Sequence, residues 1–346
     1  MSQVQPERRS VSDVQSGGHL DGGPAGRGGA IGAGARVTGG VRALDPAPLV
    51  AVAAAIGLFI WLVIIEPSAL SYSGVSLVLI GSVPLVFAAV GQMIVIALGD
   101  IDLGTGYAIG LVNVVVALIM THNELVGWVL LAAFVVGYGM IGLLVAWRGI
   151  PAIIVTLGAG FVWLGISLIV APTPAGSAPA WLGGLMALNP PGIPMPLGAA
   201  LLVMVVGGTL VTFSRPGLLL RAVGSHRGAV RDFGGHPRRV RVLAYMVVGV
   251  CMVAGGLSLT GITDTGSSSG VSQYTLLAIA AVILGGGQFS GGKAPVVGVV
   301  CGAIALSLVA SVMSVVSIPS SLQTGVEGVI LVAAVLGQRL VVLRRP

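Results

Sequence analysis

Runs of eighteen or more apolar residues recur along this chain, and nothing else in it limits the fold so tightly. Each run is long enough to cross a hydrocarbon core of roughly 30 Å as a helix. Composition agrees. Only 8% of the 346 residues are charged, against about 25% in a soluble globular domain, and the mean hydropathy is +1.05. The 55 glycines suit helices that pack closely in lipid. The expected fold is an all-α integral membrane protein.

About ten transmembrane helices are expected, near residues 48–65, 74–98, 103–121, 125–147, 152–171, 196–213, 242–262, 275–288, 294–316 and 324–341. The eighth is short and ends in glycines, as a broken or re-entrant piece would. Residues 1–45 are polar, with Gly pairs and five arginines. They lack the apolar region and cleavage site of a secretory signal and read as a disordered tail. Residues 46–346 form the membrane domain. The segment 172–195 is the one long loop on the far side, and a short interfacial helix is expected from Trp181 to Leu188.

Charge orients the chain. The formal net charge is +6, which topology explains better than nucleic-acid binding does. All seventeen Lys and Arg fall in the tail, at Arg148, in 214–241, at Lys293, or near the C-terminus. With ten spans these segments share one side, so the positive-inside rule places both termini in the cytoplasm. Seven of those residues, Arg215, Arg221, Arg227, Arg231, Arg238, Arg239 and Arg241, lie in the single polar island 214–241. Orientation alone rarely needs so many in one loop. A short helix within Gly224–Gly235 that docks another protein accounts for them better.

Two stretches interrupt the apolar runs with chemistry. The first is Gly99-Asp100-Ile101-Asp102-Leu103-Gly104-Thr105-Gly106. A carboxylate at bilayer depth is costly and normally faces a cavity or caps broken backbone. Asp102 suits the N-cap of a helix starting at Leu103. A capped break at the inner surface is the plain reading, and a pathway-lining break between half-helices is the functional one. The second stretch runs from Gly285 to Ala294. Gly287 to Lys293 matches GxxxxGK, but Ala294 replaces the hydroxyl residue that would hold Mg²⁺ and no strand precedes it, so a Gly-mediated turn is expected rather than nucleotide binding. Each stretch follows an apolar run containing Ile-Ala (Ile96-Ala97; Ile279-Ala280), a faint sign of internal duplication.

No catalytic constellation is visible. His226 and His236 lack carboxylate or cysteine companions, His19 and His122 stand alone, and GxSxG, HExxH and CxxC are missing. Cys251 and Cys301 sit in apolar runs as small thiols with no ligand-spaced neighbour. Neither an enzyme nor a metal site is expected.

At four segments the chain resembles the ribose and simple-sugar permease family, the membrane subunits of bacterial ATP-binding-cassette importers. Residues 91–106 resemble its GGIDLSVG segment, and residues 149–166 its P-x-F-I-x-T-L-G segment through Pro151, Thr156, Leu157 and Gly158. Residues 221–236 resemble its AxGxNxxAAxxSGI cytoplasmic loop, and residues 278–303 its IAAxxxGGxSxxGGxG segment. The resemblance covers roughly residues 75–340. Asp100 stands where the family has Gly, His226 where it has Asn, and Thr275-Leu276-Leu277 where it commonly has Glu-Leu-Asp.

The resemblance implies a permease domain over 46–346, with 214–241 as the loop that couples it to a separate ATPase. Gly224, His226, Ala229, Arg231, Asp232 and Gly234 would contact that ATPase. Asp100, Asp102, Gly104, Thr156, Gly286 and Gly291 would shape the translocation pathway or its gate. No cofactor is expected on this chain, since ATP belongs to the partner. The implied partners are the ATPase, an extracytoplasmic solute-binding protein, a second permease subunit (a second copy or a sister chain), and the bilayer of the cell membrane. The solute would be a sugar or related small polar molecule. The same machine carrying nucleosides or branched-chain amino acids is the near alternative. An ion-coupled carrier using Asp102 or Glu327 is the distant one.

Overall fold

The computed structural model describes residues 46–188, 190–225, 230, 235–319, 322, 325–326 and 328–329. The N-terminal tail and most of the last expected span, 324–341, lie outside these residues. Among them every regular element is helical, and one isolated antiparallel bridge joins Ala175 to Gly266.

Among the described residues twelve α-helices follow in order: α1 Pro46–Ile65, α2 Tyr72–Ile80, α3 Ser82–Ala97, α4 Thr105–Val115, α5 Glu124–Arg148, α6 Ala152–Val170, α7 Ala180–Met186, α8 Met195–Phe213, α9 Arg215–Ser225, α10 Pro237–Thr263, α11 Gln273–Leu284 and α12 Val296–Val315. Six of them (α1, α5, α6, α8, α10 and α12) are long and apolar enough to cross a membrane. α2 and α3 meet the same test only as a pair, bent by 47° at their junction, as a broken span or a re-entrant loop would be. Pro84 lies in the first turn of α3. Its ring opposes the carbonyl of Ile80 and it has no N–H to donate, so the continuous run expected over 74–98 kinks there.

Two expected spans prove shorter. α4 closes with a π-turn over Val116–Met120, where Thr121 Oγ1 donates to the Val116 carbonyl at 3.2 Å. Loop residues stop it there, with Ser177 N–H donating to the Ala117 carbonyl at 3.2 Å and Ser267 N–H to Asn113 Oδ1 at 3.3 Å. α11 has only twelve residues, about 18 Å of helix, in keeping with the broken piece expected there. The short helix expected near Trp181 is α7, whose Trp181 stacks on Trp128 of α5 with ring centroids 6.0 Å apart.

Among its described residues the polar island is largely helix rather than loop. α9 covers its first part, and α10 begins at Pro237, five residues before the span expected at 242. Proline suits a first helical turn, where its missing N–H leaves no bond unmade. Arg238, Arg239 and Arg241 are therefore helical, and Arg241 is buried.

α3 sits at the centre, buried at every position but Phe87, and packs against α10, α11 and α12. α10 also packs on α4 and α5, and α4 on α6. Glycine makes the tightest of these contacts possible. A Cβ at Gly298 of α12 would stand 2.1 Å from the carbonyl oxygen of Gly285, and one at Gly302 would stand 2.6 Å from that of Ala281. Backbones meet there as in small-residue helix pairs in lipid.

Candidate functional site: two helix breaks at one junction

α3 ends because Gly99 turns left-handed, at φ 78°, a conformation that costs glycine little. Gly99 N–H donates to the Ile96 carbonyl at 2.9 Å, and Asp100 N–H reaches back to Val95 at 3.1 Å. This is a Schellman-type cap. α11 ends the same way. Gly286, at φ 94°, donates to Ile283 at 3.0 Å, and Gly287 to Val282 at 2.8 Å. The faint likeness of the two stretches in sequence is thus a likeness of backbone hydrogen bonds. It pairs Gly99 with Gly286, four residues away from the register that the Ile-Ala pairs suggest.

Beyond the first break the chain is irregular as far as α4, held by side chains from three helices. Asp102 Oδ1 accepts from Gly104 N–H at 2.7 Å, and Tyr138 of α5 donates its hydroxyl to Asp102 Oδ2 at 3.1 Å. Asp102 therefore closes a local turn ahead of α4, which starts at Thr105. The N-cap position itself is Gly104, not Asp102. The Gln92 amide of α3 spans the gap; in the orientation that satisfies both its oxygen and its nitrogen, the NH₂ donates to Thr105 Oγ1 and to the Asp102 carbonyl, each at 3.1 Å. Thr156 of α6 accepts from Leu103 N–H at 3.1 Å. A Cβ at Gly104 would lie 2.7 Å from the Thr156 carbonyl, so only glycine lets the two backbones come this close.

Asp100, beside these groups, meets α10. Arg241 Nε lies 3.2 Å from Asp100 Oδ2, and Arg241 Nη2 donates to Oδ1 at 3.3 Å. Tyr245 donates its hydroxyl to Oδ2 at 3.3 Å. Asp100, Asp102, Tyr138, Arg241 and Tyr245 are all buried. A charge removed from water persists only with such partners. Sequence reading counted Arg241 among the orienting charges of the loop; it is instead the counter-ion of Asp100.

The second break folds back on the first. Gly292 N–H donates to the carbonyl of Ala97, the last residue of α3, at 2.9 Å. Gly291 and Gly292 are both left-handed, at φ 80° and 79°. Gly224, in the last turn of α9, lies against both breaks. A Cβ there would stand 1.8 Å from the Ala97 oxygen and 2.8 Å from Gly292 N. The junction thus gathers Gly224 with the Gly291–Gly292 turn and, through Ala97 and Gly99, with the stretch that holds Asp100, Asp102 and Gly104, to which Thr156 of α6 is hydrogen-bonded. Gly286 is the hinge into the second break. His226, Ala229, Arg231, Asp232 and Gly234 lie outside the described residues, so the loop expected to dock a partner is represented here by Gly224 and its helix.

A cavity of about 530 Å³ opens between α4, α6 and α11, lined by Leu103, Tyr107, Leu157, Gln273, Thr275 and Leu276 among others. Thr275 Oγ1 accepts from Gly106 N–H at 2.9 Å, tying α11 to the first turn of α4. Sequence reading noted Thr275 only as a missing acid and passed over Tyr107 and Gln273. Their one signal was position, since Tyr107 follows the first break directly and Gln273 opens the short helix.

Residues 74–335 match the family described as "Branched-chain amino acid transport system / permease component". Among curated proteins, the chain is 29% identical to the probable ABC transporter permease protein y4mJ of Sinorhizobium fredii, over 81% of this chain and 85% of that one. It is 28% identical to the ribose import permease protein RbsC of Escherichia coli, over 72% and 80% of the two chains. It is 25% identical to the D-allose transport system permease protein AlsC of Escherichia coli, over 79% and 85%. No solved structure matches the chain.

Proposed function

Because the chain belongs to the family of branched-chain amino acid transport system permease components, we propose that it is the membrane subunit of an ATP-driven importer for a sugar or a related small polar solute. The family makes it a multi-pass membrane transport component and not an enzyme. A sugar is the solute favoured by the names of the ribose and D-allose permeases it is similar to. Branched-chain amino acids, named in the family description, are the second reading.

The observation that carries this reading is the seat of Gly224 between the two breaks. α9 forms the first part of the basic island, and its last turn touches the end of α3 and the Gly291–Gly292 turn at once. A partner that moves α9 therefore moves both breaks, and with them α4 and α11, the two short helices that border the cavity. An ATPase docking over Arg221–Arg241 would act through this contact. ATP would be bound by that partner, and this chain would need no cofactor. An extracytoplasmic binding protein would hand over the solute, and a second permease subunit would complete the pathway.

The topology that fits has ten spans with both termini in the cytoplasm. It consists of six long helices, the bent α2–α3 pair, the short α4 and α11, and one span at 324–341. The test is reconstitution in proteoliposomes with the ATPase that copurifies in mild detergent, followed by uptake of labelled ribose and leucine. Uptake that stops on ATP depletion while a proton gradient is held supports the importer, and the labelled compound taken up selects the solute class. Uptake by the chain alone that stops when the gradient collapses would replace this reading with an ion-coupled carrier.

A further inference from the structure

A second cavity, of about 380 Å³, lies away from the two breaks, in the angle where α8 turns into α9 against α10. Its walls include Leu210 of α8, Leu219 and Leu220 of α9, Leu243 and Val247 of α10, and Ile94 of α3 at its floor. The lining has one hydroxyl, Ser214, and no charge. Leu210, Leu219, Leu243 and Val247 are exposed on the isolated chain. In a bilayer the default neighbour of such a face is an acyl chain.

What distinguishes this groove is its rim. On a helix, residues four apart share a face, and Arg215 stands four residues before Leu219 while Arg239 stands four before Leu243. Both arginines are exposed, and each sits in the first turn of its helix, within the basic island. Arg221, further along α9, is engaged differently, donating through Nη2 to the Thr212 carbonyl at 3.2 Å. Neither α8, α9 nor α10 carries an acid anywhere along its length. An apolar slot flanked by two exposed arginines, one on α9 and one on α10, with no carboxylate on the three helices that wall it, matches the two halves of an anionic phospholipid.

We propose that this groove binds one anionic phospholipid, its acyl chain along Leu219, Leu243 and Val247 and its phosphate diester held by Arg215 and Arg239. The inference is independent of what the chain transports and rests only on its lying in a membrane. The site also has a consequence for coupling. α9 carries Gly224 at its other end, so a lipid seated between α8, α9 and α10 braces the helix that touches both breaks. Zwitterionic lipid offers the same tail, but its added cation would face the arginines.

The test uses the full chain purified in mild detergent, incubated with equimolar phosphatidylglycerol and phosphatidylcholine, with retained lipid read by native mass spectrometry. Wild type should keep one phosphatidylglycerol in preference to phosphatidylcholine. The double variant Arg215→Gln/Arg239→Gln should retain it roughly thirtyfold more weakly, at about 1 kcal/mol for each arginine near the headgroup. Leu243→Trp, which fills the slot at an exposed position, should also expel the lipid while leaving both arginines in place. Equal retention of the two lipids, or no change in either variant, overturns the proposal. Displacement by inorganic phosphate at matched concentration would assign the arginines to a soluble anion instead. A disulfide forming between two Leu243→Cys chains would show a second copy covering the groove, and would overturn it too.

Discussion

Arg241 lies 3.2 Å from Asp100 through Nε and Oδ2, although 141 positions separate them in sequence. Both are buried, and Tyr245 completes the set from the same helix as the arginine. The first turns of α10, which form the end of the basic island, are thereby tied to the residue after the α3 cap. Removing one member of a buried pair strands the other charge, at a cost of about 3–5 kcal/mol, whereas removing both often costs little. Arg241→Met should lower the melting temperature in detergent substantially. Adding Asp100→Gly, the residue common at this position in the family the chain resembles, should recover at least half of that loss. Strictly additive losses in the double variant would show that the pair does not act as a unit.

Gly224 offers a sharper test of coupling, because the space for a side chain there is already occupied. A methyl group would stand 1.8 Å from the Ala97 carbonyl oxygen, so Gly224→Ala must push α9 off the two breaks, at about 1–3 kcal/mol for overpacking. In the reconstituted complex uptake should fall at least tenfold while ATP hydrolysis continues, the mark of lost coupling rather than lost assembly. Gly158→Ala, where nothing lies within 4 Å, should leave both rates near wild type. If Gly224→Ala transports normally, α9 is not the element through which ATP hydrolysis reaches the breaks.

Much of this arrangement was legible in the sequence, and the exceptions have physical causes. Apolar length located the long spans because a bilayer imposes that length. It overran at 74–98 because Pro84 kinks a run whose hydropathy never falters. The two glycine stretches stand out because they interrupt apolar runs, and both are helix breaks; the left-handed caps at Gly99 and Gly286 were not foreseen, and the N-cap expected of Asp102 falls to Gly104. Their meeting at Gly224 was not legible, since nothing in local sequence tells which backbone approaches a glycine from 127 or 68 residues away. Arg241 was misjudged for a related reason. In a run of arginines that all satisfy the charge rule, the one that turns inward has no local mark, and only its distant carboxylate distinguishes it.

Thr156 joins two segments that sequence reading had singled out separately. Its hydroxyl accepts from Leu103 N–H at 3.1 Å and donates toward the Ile101 carbonyl at 3.3 Å, fixing the irregular stretch between α3 and α4. Thr156→Val keeps the shape but leaves the Leu103 amide without that partner, a loss of about 1–3 kcal/mol. The variant should melt earlier and transport more slowly, and Thr156→Ser should restore most of both. A valine variant indistinguishable from wild type in both assays would mean that the stretch is held adequately by Asp102 and Gln92.

The cavity between α4, α6 and α11 sets a structural threonine beside a cavity-facing amide only a few residues away. Thr275 is buried with its hydroxyl committed to Gly106 N–H, whereas Gln273 is exposed at the cavity wall. If solute passes along this wall, the two positions should fail differently. Thr275→Val leaves a backbone N–H unpaired at the first turn of α4, so it should reduce stability, by about 1–3 kcal/mol, and the maximal rate together. Gln273→Leu removes a donor and acceptor that a hydroxylated solute would meet, so it should raise the half-saturating solute concentration several-fold, as loss of one hydrogen bond of about 1 kcal/mol predicts. Its melting temperature should not move. Uptake kinetics in proteoliposomes, measured beside thermal unfolding of the same preparations, separate the two. Unchanged half-saturation in Gln273→Leu would place the solute path elsewhere, and would leave Thr275 as a brace between α4 and α11 with no part in recognition.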